Sequence, residues 1–207
     1  MWDKGSREES SFFSSRKIAC TVCGDSSIFV SKSVHVCGSC IREKGVEAVS
    51  IAQQTREKAR CEYGLPSKPP KTRGGIPCKL CSNECVLGEG EEGYCGLRVN
   101  TSGRLISLSR PDRGVYYSYL DPHVTNCCSA WFCPAGTGAG YPTYACRGGA
   151  ELGYYNLAVF FYGCNFDCLF CQNYSHKRIH ETSPQNIDEL VEKTLKNSKI
   201  SCICFFG

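Results

Sequence analysis

Asn156-Leu157-Ala158-Val159-Phe160-Phe161-Tyr162 runs directly into Gly163-Cys164-Asn165-Phe166-Asp167-Cys168-Leu169-Phe170-Cys171, and this junction decides the fold. The first seven residues are almost continuously apolar, the pattern of a strand buried on both faces. The residues that follow place three cysteines on one short loop, as C-x3-C-x2-C. Downstream, Ser183 offers an N-cap with Pro184 at the first helical position. Ile187, Leu190, Val191, Thr194 and Leu195 then follow the i, i+3, i+4, i+7, i+8 stripe of an amphipathic helix. Ile200 to Phe206 is a second apolar run. Strand, helix and strand form a βαβ unit, from which parallel α/β sheets are built.

Three thiolates on one loop can converge on a single metal cluster, because soft sulfur ligands suit iron–sulfur chemistry. The number three is informative. A cubane held by three cysteines keeps one iron open for another molecule, whereas an electron-transferring cluster usually takes four. The bland alternative for Cys164, Cys168 and Cys171 is a structural zinc site or a set of buried thiols.

The loop resembles the signature of the radical S-adenosylmethionine (SAM) superfamily, including an aromatic residue, Phe170, before the last cysteine. The resemblance implies a [4Fe–4S] cluster on Cys164, Cys168 and Cys171, whose open iron chelates the amino and carboxylate groups of SAM. Cleavage of SAM would give a 5′-deoxyadenosyl radical for hydrogen abstraction. Phe170 would shield the cluster or pack on the adenine side. The implied fold is a partial or full (β/α) barrel, with the loop after its first strand and the site at the carboxyl ends of the strands. Cys204-Phe205-Phe206-Gly207 resembles the approach to the family's Gly-Gly-Glu-type segment, which makes Gly207 a candidate SAM-binding residue. Two parallel strands cannot close a sheet, so the chain is expected to be a fragment that stops partway through the barrel.

The remaining cysteines fall into groups. Cys20-x2-Cys23 and Cys37-x2-Cys40 have the pairing of a zinc ribbon, in which two thiolate knuckles grip one tetrahedral Zn²⁺. Gly24 and Gly38 stand where a knuckle needs a relaxed turn. Such a closed shell staples a small unit or presents it for docking; it has no open catalytic position. Cys78-x2-Cys81-x3-Cys85 with Cys95 is a second four-thiolate set, open to zinc or to an auxiliary Fe–S cluster, with a structural metal favoured. Cys78-Lys79-Leu80-Cys81 and Gly93-Tyr94-Cys95-Gly96-Leu97-Arg98 resemble the opening of a radical SAM subgroup. That subgroup is similar to pyruvate formate-lyase activating enzymes and to the radical SAM member of the AmmeMemoRadiSam system, and the resemblance spans residues 76–207. It implies an oxidoreductase needing an electron donor, with a glycine of a partner protein or another substrate as hydrogen source. The zinc ribbon departs from the plain activating-enzyme layout.

Cys127, Cys128, Cys133 and Cys146 are expected to be structural or free thiols, and Cys202 and Cys204 small core residues. His176 and His180 read as solvated polar residues. Gly136-Thr137-Gly138-Ala139-Gly140 lacks the preceding buried strand of a dinucleotide loop and reads as a flexible loop.

Outward from these motifs, the sequence divides into a flexible tail (1–17), a zinc ribbon plus helix (18–61), a Pro/Gly-rich linker (62–77), a Cys-rich pre-barrel region (78–155) and the first βαβ unit (156–207). In the ribbon, Ile28–Val30 and Val34–Val36 read as short strands, and Ile41–Arg60 as a helix with Ile41, Ala48, Val49 and Ala52 on one side. Leu97–Val99 and Leu105–Leu108 predict a hairpin, and residues 111–155 read as mostly irregular. Eighteen cysteines in 207 residues are too many for ordinary composition, and the chain is too long for a small disulfide scaffold. The polar start carries no signal-peptide pattern, and no apolar run approaches the ~18 residues of a membrane span. A cytoplasmic, metal-binding protein without a membrane anchor is therefore expected. The net charge of +4 is mild and neither demands nor excludes nucleic acid, which is not an expected partner of the enzyme reading. The rival reading is a zinc-binding module that docks protein or nucleic acid without catalysis.

Overall fold

The computed structural model describes residues 16–125 and 129–206. The expected N-terminal tail lies outside the described residues except for Arg16 and Lys17. The chain divides into two compact units, Met1–Lys58 and Ala59–Gly207.

In the first unit, β1 (Ile18–Ala19) pairs antiparallel with β2 (Ser26–Ser27). Helices α1 (Gly38–Glu43) and α2 (Val46–Cys61) follow, and α2 ends within the second unit. The strands expected at Ile28–Val30 and Val34–Val36 do not form. Serine hydroxyls take the backbone donors that a ladder would have used: Ser27 Oγ accepts from Phe29 N–H, and Ser31 Oγ from Ser33 and Val34 N–H. Val30 and Val36 are nevertheless buried, packed with Cys20, Cys40 and Ala48. The single helix expected over 41–60 is broken at Lys44-Gly45, and of its proposed apolar side only Ala48 is fully buried.

The second unit begins with the segment read as a linker, and that segment packs. Leu65 joins Val115 and Ile179 in a buried cluster, while β3 (Ile76–Pro77) pairs with β4 (Val86–Leu87). Its prolines give extended backbone rather than detachment. The predicted hairpin is present as β5 (Arg98–Thr101) and β6 (Arg104–Ser107), with Val99 opposite Ile106. Then come β7 (Arg113–Gly114), β8 (Tyr116–Pro122), a one-turn α3 (Pro134–Thr137), β9 (Tyr155–Phe161), β10 (Gln185–Asn186), α4 (Ile187–Leu195) and β11 (Ile200–Phe206).

The central sheet has the order β11-β9-β8. β9 runs parallel to β11, as the βαβ reading requires, with Cys204 opposite Ala158 and Phe206 opposite Phe160. Its other edge is covered by β8, antiparallel, with Tyr116 opposite Phe161 and Pro122 opposite Tyr155. β8 lies within the region read as irregular. The expected cap of α4 is also displaced. Gln185 and Asn186 pair with Gly114 and Arg113 instead of entering the helix, and Asn186 Oδ1 accepts from Asp188 N–H as the actual N-cap.

Leu157 and Val159 of β9, fully buried, pack with Tyr116 and Leu190. On the other face, Phe160 stacks on Tyr117 at 5.0 Å and on Phe206 at 4.6 Å between ring centroids, tying all three strands together near the carboxyl end of β9. Aromatic pairs of this kind add roughly 0.5–1.5 kcal/mol each beyond their buried area.

Two short 3₁₀ turns, Tyr174–Lys177 and Ile179–Glu181, follow the cysteine loop. His180 Nε2 lies 2.9 Å from Glu92 Oε1, which joins these turns to the Cys78–Cys95 region. The hydrogen bond to Glu92 holds the His180 imidazolium above its ordinary pKa. The pair's contribution to stability is therefore present below the unfolded value of about 6.5 and is lost as pH rises through the folded value. In an NMR titration His180 should titrate above the ordinary histidine value, and E92Q should return it there; an unmoved midpoint would contradict the pairing.

Candidate functional site

The first unit brings Cys20, Cys23, Cys37 and Cys40 together, with their sulfurs all within 4.8 Å of one another. Cys23 Sγ and Cys37 Sγ are 3.9 Å apart. A tetrahedral ion with Zn–S bonds of about 2.3 Å sets its sulfurs about 3.8 Å apart, so the four thiols fit one zinc ion. Backbone donors complete the knuckles: Cys37 N–H points to Cys20 Sγ at 3.3 Å and Cys40 N–H to Cys37 Sγ at 3.4 Å. The Cys37 amide is the leading cause that draws the Cys20 thiol down to about 6, whereas burial pushes Cys40 up. The first turn reverses at Gly24, whose φ of +80° favours glycine. Gly38 instead opens α1 with ordinary helical backbone.

In the second unit, Cys164, Cys168 and Cys171 lie on the loop leaving the carboxyl end of β9. All three are unbridged; Cys164 and Cys171 are half-buried and Cys168 is exposed. Phe166 and Asp167 N–H both point to Cys164 Sγ, at 3.4 and 3.5 Å. Among the described residues, the only three or more potential ligands within mutual reach of a single ion are the four of the first unit. Cys164, Cys168 and Cys171 are not brought within that mutual reach; thiols are soft donors of the kind that metal clusters take. Phe170 is 89% exposed. Gly207, the candidate SAM-binding glycine, lies outside the described residues, as do Cys127 and Cys128.

The loop is fixed by a buried charge network that the motif reading missed. Asp167, fully buried, accepts from Arg60 Nη1 at 2.9 Å and meets Lys177 Nζ at 3.0 Å. Burial alone would raise the Asp167 carboxyl, but Arg60 and Lys177 outweigh it and hold it below the usual carboxylate range. Arg60, itself 1% exposed, also donates to the carbonyls of Pro66 and Tyr94, and its guanidinium stacks 3.6 Å over the Tyr94 ring. One arginine thus joins the end of α2, the cysteine loop and the residue preceding Cys95. His176 is buried beside Asp167 at 3.8 Å rather than solvated, and its burial lowers its pKa. A carboxylate set between the cysteines of the motif was the visible clue, because an anion buried there requires cations. Nothing in the sequence marked Arg60 as one of them.

The Cys78–Cys95 set lies in the same unit. Cys78 and Cys85 are buried, Cys81 and Cys95 half-buried, and all four line a cavity of about 560 Å³ that also reaches Cys164, Asn165 and Phe166. Gly163 makes the approach possible: its φ is +79°, and a Cβ there would stand 2.7 Å from the Cys95 carbonyl. A third cluster surrounds His123, whose Nε2 is 3.0 Å from Ser201 Oγ and 3.6 Å from Cys202 Sγ, with buried Glu151 at 3.9 Å. Burial pushes the Cys202 thiol up to about 12, as for a core residue. Cys146 is exposed and Cys133 half-buried. Gly136 and Thr137 belong to α3, with no long helix for a phosphate loop. Among the described residues no helix is long and apolar enough to cross a membrane.

No family model matches the chain, nor does any curated protein or solved structure.

Two outcomes follow from this geometry. Purified protein should carry about one zinc that a strong chelator removes, and removal should expose the amides of residues 16–58 to hydrogen exchange; unchanged exchange after complete zinc removal would contradict a metal-dependent fold. Asp167→Asn should cost the second unit about 3–5 kcal/mol in denaturant unfolding, because Arg60 and Lys177 remain buried without their counter-charge. An unshifted midpoint would count against the network.

Proposed function

We propose that this chain carries the cluster-binding loop of a radical SAM oxidoreductase, with Cys164, Cys168 and Cys171 as ligands to a [4Fe–4S] cluster. The observation that carries this reading is a loop of three thiols following the carboxyl end of a buried parallel strand, with two backbone N–H groups directed at Cys164 Sγ. When bound, the cluster would supply the one electron that cleaves SAM to a 5′-deoxyadenosyl radical for hydrogen abstraction.

The chain's own groups give that chemistry its setting. The Phe166 and Asp167 amides point at Cys164 Sγ, and the Arg60–Asp167–Lys177 contacts fix the loop. Exposed Phe170 stands on the loop where it can cover a ligand. The ends of β9 and β11 point the same way, so a substrate would be met at one edge of the sheet. The four-cysteine zinc site holds the first unit together and can present it to a partner; its closed shell leaves it no part in the reaction. An electron donor and a hydrogen-bearing substrate, small or protein, complete the reading.

The test is spectroscopic. Protein purified and reconstituted without oxygen, then reduced with dithionite, should give an electron paramagnetic resonance signal that SAM shifts. Cys164→Ala with Cys168→Ala and Cys171→Ala should abolish the SAM-dependent shift. A spectrum indifferent to SAM, or a shift that survives in the triple variant, would overturn the proposal.

A further inference from the structure

The second four-cysteine set differs from the first in a way that bears on its metal. Around a single zinc the four sulfurs close to about 3.8 Å and leave no room between them. The Cys20–Cys40 set has that closeness, and the Cys78–Cys95 set does not, although its four residues are all described. These four residues instead line a common cavity of about 560 Å³. A void bordered by four thiols suits a polynuclear cluster, whose ligands sit on different irons and stand further apart.

The surroundings favour an anionic, electron-carrying group. Arg98 Nη1 lies 3.8 Å from Cys95 Sγ, and hydrogen bonds and positive charge at cluster sulfurs are among the factors that set reduction potential. Lys71 Nζ clasps the turn between Cys81 and Cys85 by donating to the carbonyls of Asn83 and Glu84, at 3.1 and 2.7 Å. The Cys78 N–H donates to the Cys85 carbonyl at 2.7 Å, which fixes the two ends of the C-x2-C-x3-C loop against each other. Leu87, Tyr94 and Leu105 pack behind Cys78 and Cys85 and give the site an apolar wall. Asn83 then spans to the other cysteine loop, its Nδ2 donating to the Asn165 carbonyl at 2.7 Å.

We propose that Cys78, Cys81, Cys85 and Cys95 ligate a second iron–sulfur cluster rather than zinc. Four protein thiolates leave no iron open, so this cluster accepts and passes on single electrons from a low-potential donor and does not bind substrate. Its site shares a cavity with Cys164, Asn165 and Phe166. The ligand assignment does not depend on the reading of the three-cysteine loop.

The test uses the full chain, reconstituted anaerobically with iron and sulfide, in two variants. With Cys164, Cys168 and Cys171 all replaced by Ala, the protein should retain about four Fe and about four sulfide per chain, together with about one Zn. An iron-free triple variant holding about two Zn would overturn the proposal. In the second variant, Cys81→Ser with Cys95→Ser, the wild-type iron content should fall by about half while the SAM-dependent spectral shift remains; full retention of iron would also overturn it. If the three-cysteine loop held no cluster, wild type and triple variant would carry equal iron, and only the Cys81/Cys95 variant would lose it.

Discussion

A carboxylate sealed between two cations holds the second unit's cysteine loops in place. Asp167 is fully buried, and it can be so only because Arg60 and Lys177 stand at 2.9 and 3.0 Å. Arg60 reaches in from the end of α2, Lys177 from the first 3₁₀ turn after the loop, and the loop is pinned between them. Because Arg60 also holds the Tyr94 carbonyl, the constraint passes to Cys95 and the second set of thiols. A buried ion network of this kind is weak as a source of stability and effective at fixing geometry, and a multi-thiolate site requires fixed geometry.

The two four-cysteine sets share an opening C-x2-C pair but are arranged differently. In the first unit, short turns and amide-to-sulfur contacts draw Cys20, Cys23, Cys37 and Cys40 into the reach of one ion. In the second, around the β3–β4 pairing and the approach of Gly163 to Cys95, all four residues line one cavity. The proposed chemistry follows the same division: a closed site for folding, a chamber for electrons and an open three-thiol loop for SAM.

Much of this organisation was legible in the sequence, and the gaps have physical causes. The apolar runs of β9 and β11 and the stripe of α4 gave the βαβ unit, because burial on both faces leaves an unmistakable composition. Paired C-x2-C motifs marked the first metal site. β8 escaped because Tyr116–Pro122 lacks clean alternation and ends in proline, yet β9 needed a partner for the backbone groups on its second edge. The start of α4 moved because Gln185 and Asn186 found a strand partner in residues far upstream. Arg60 and Asp167, 107 positions apart, meet only in the folded chain, and no local pattern records such a pair.

The central claim is that the loop at the end of β9 binds iron while the first unit binds zinc. Anomalous diffraction from anaerobically grown crystals, collected at the iron and zinc absorption edges, tests it most directly. The account predicts an iron peak bounded by Cys164, Cys168 and Cys171 and a zinc peak among Cys20, Cys23, Cys37 and Cys40. A zinc peak at the three-cysteine loop, with no iron there, would contradict it.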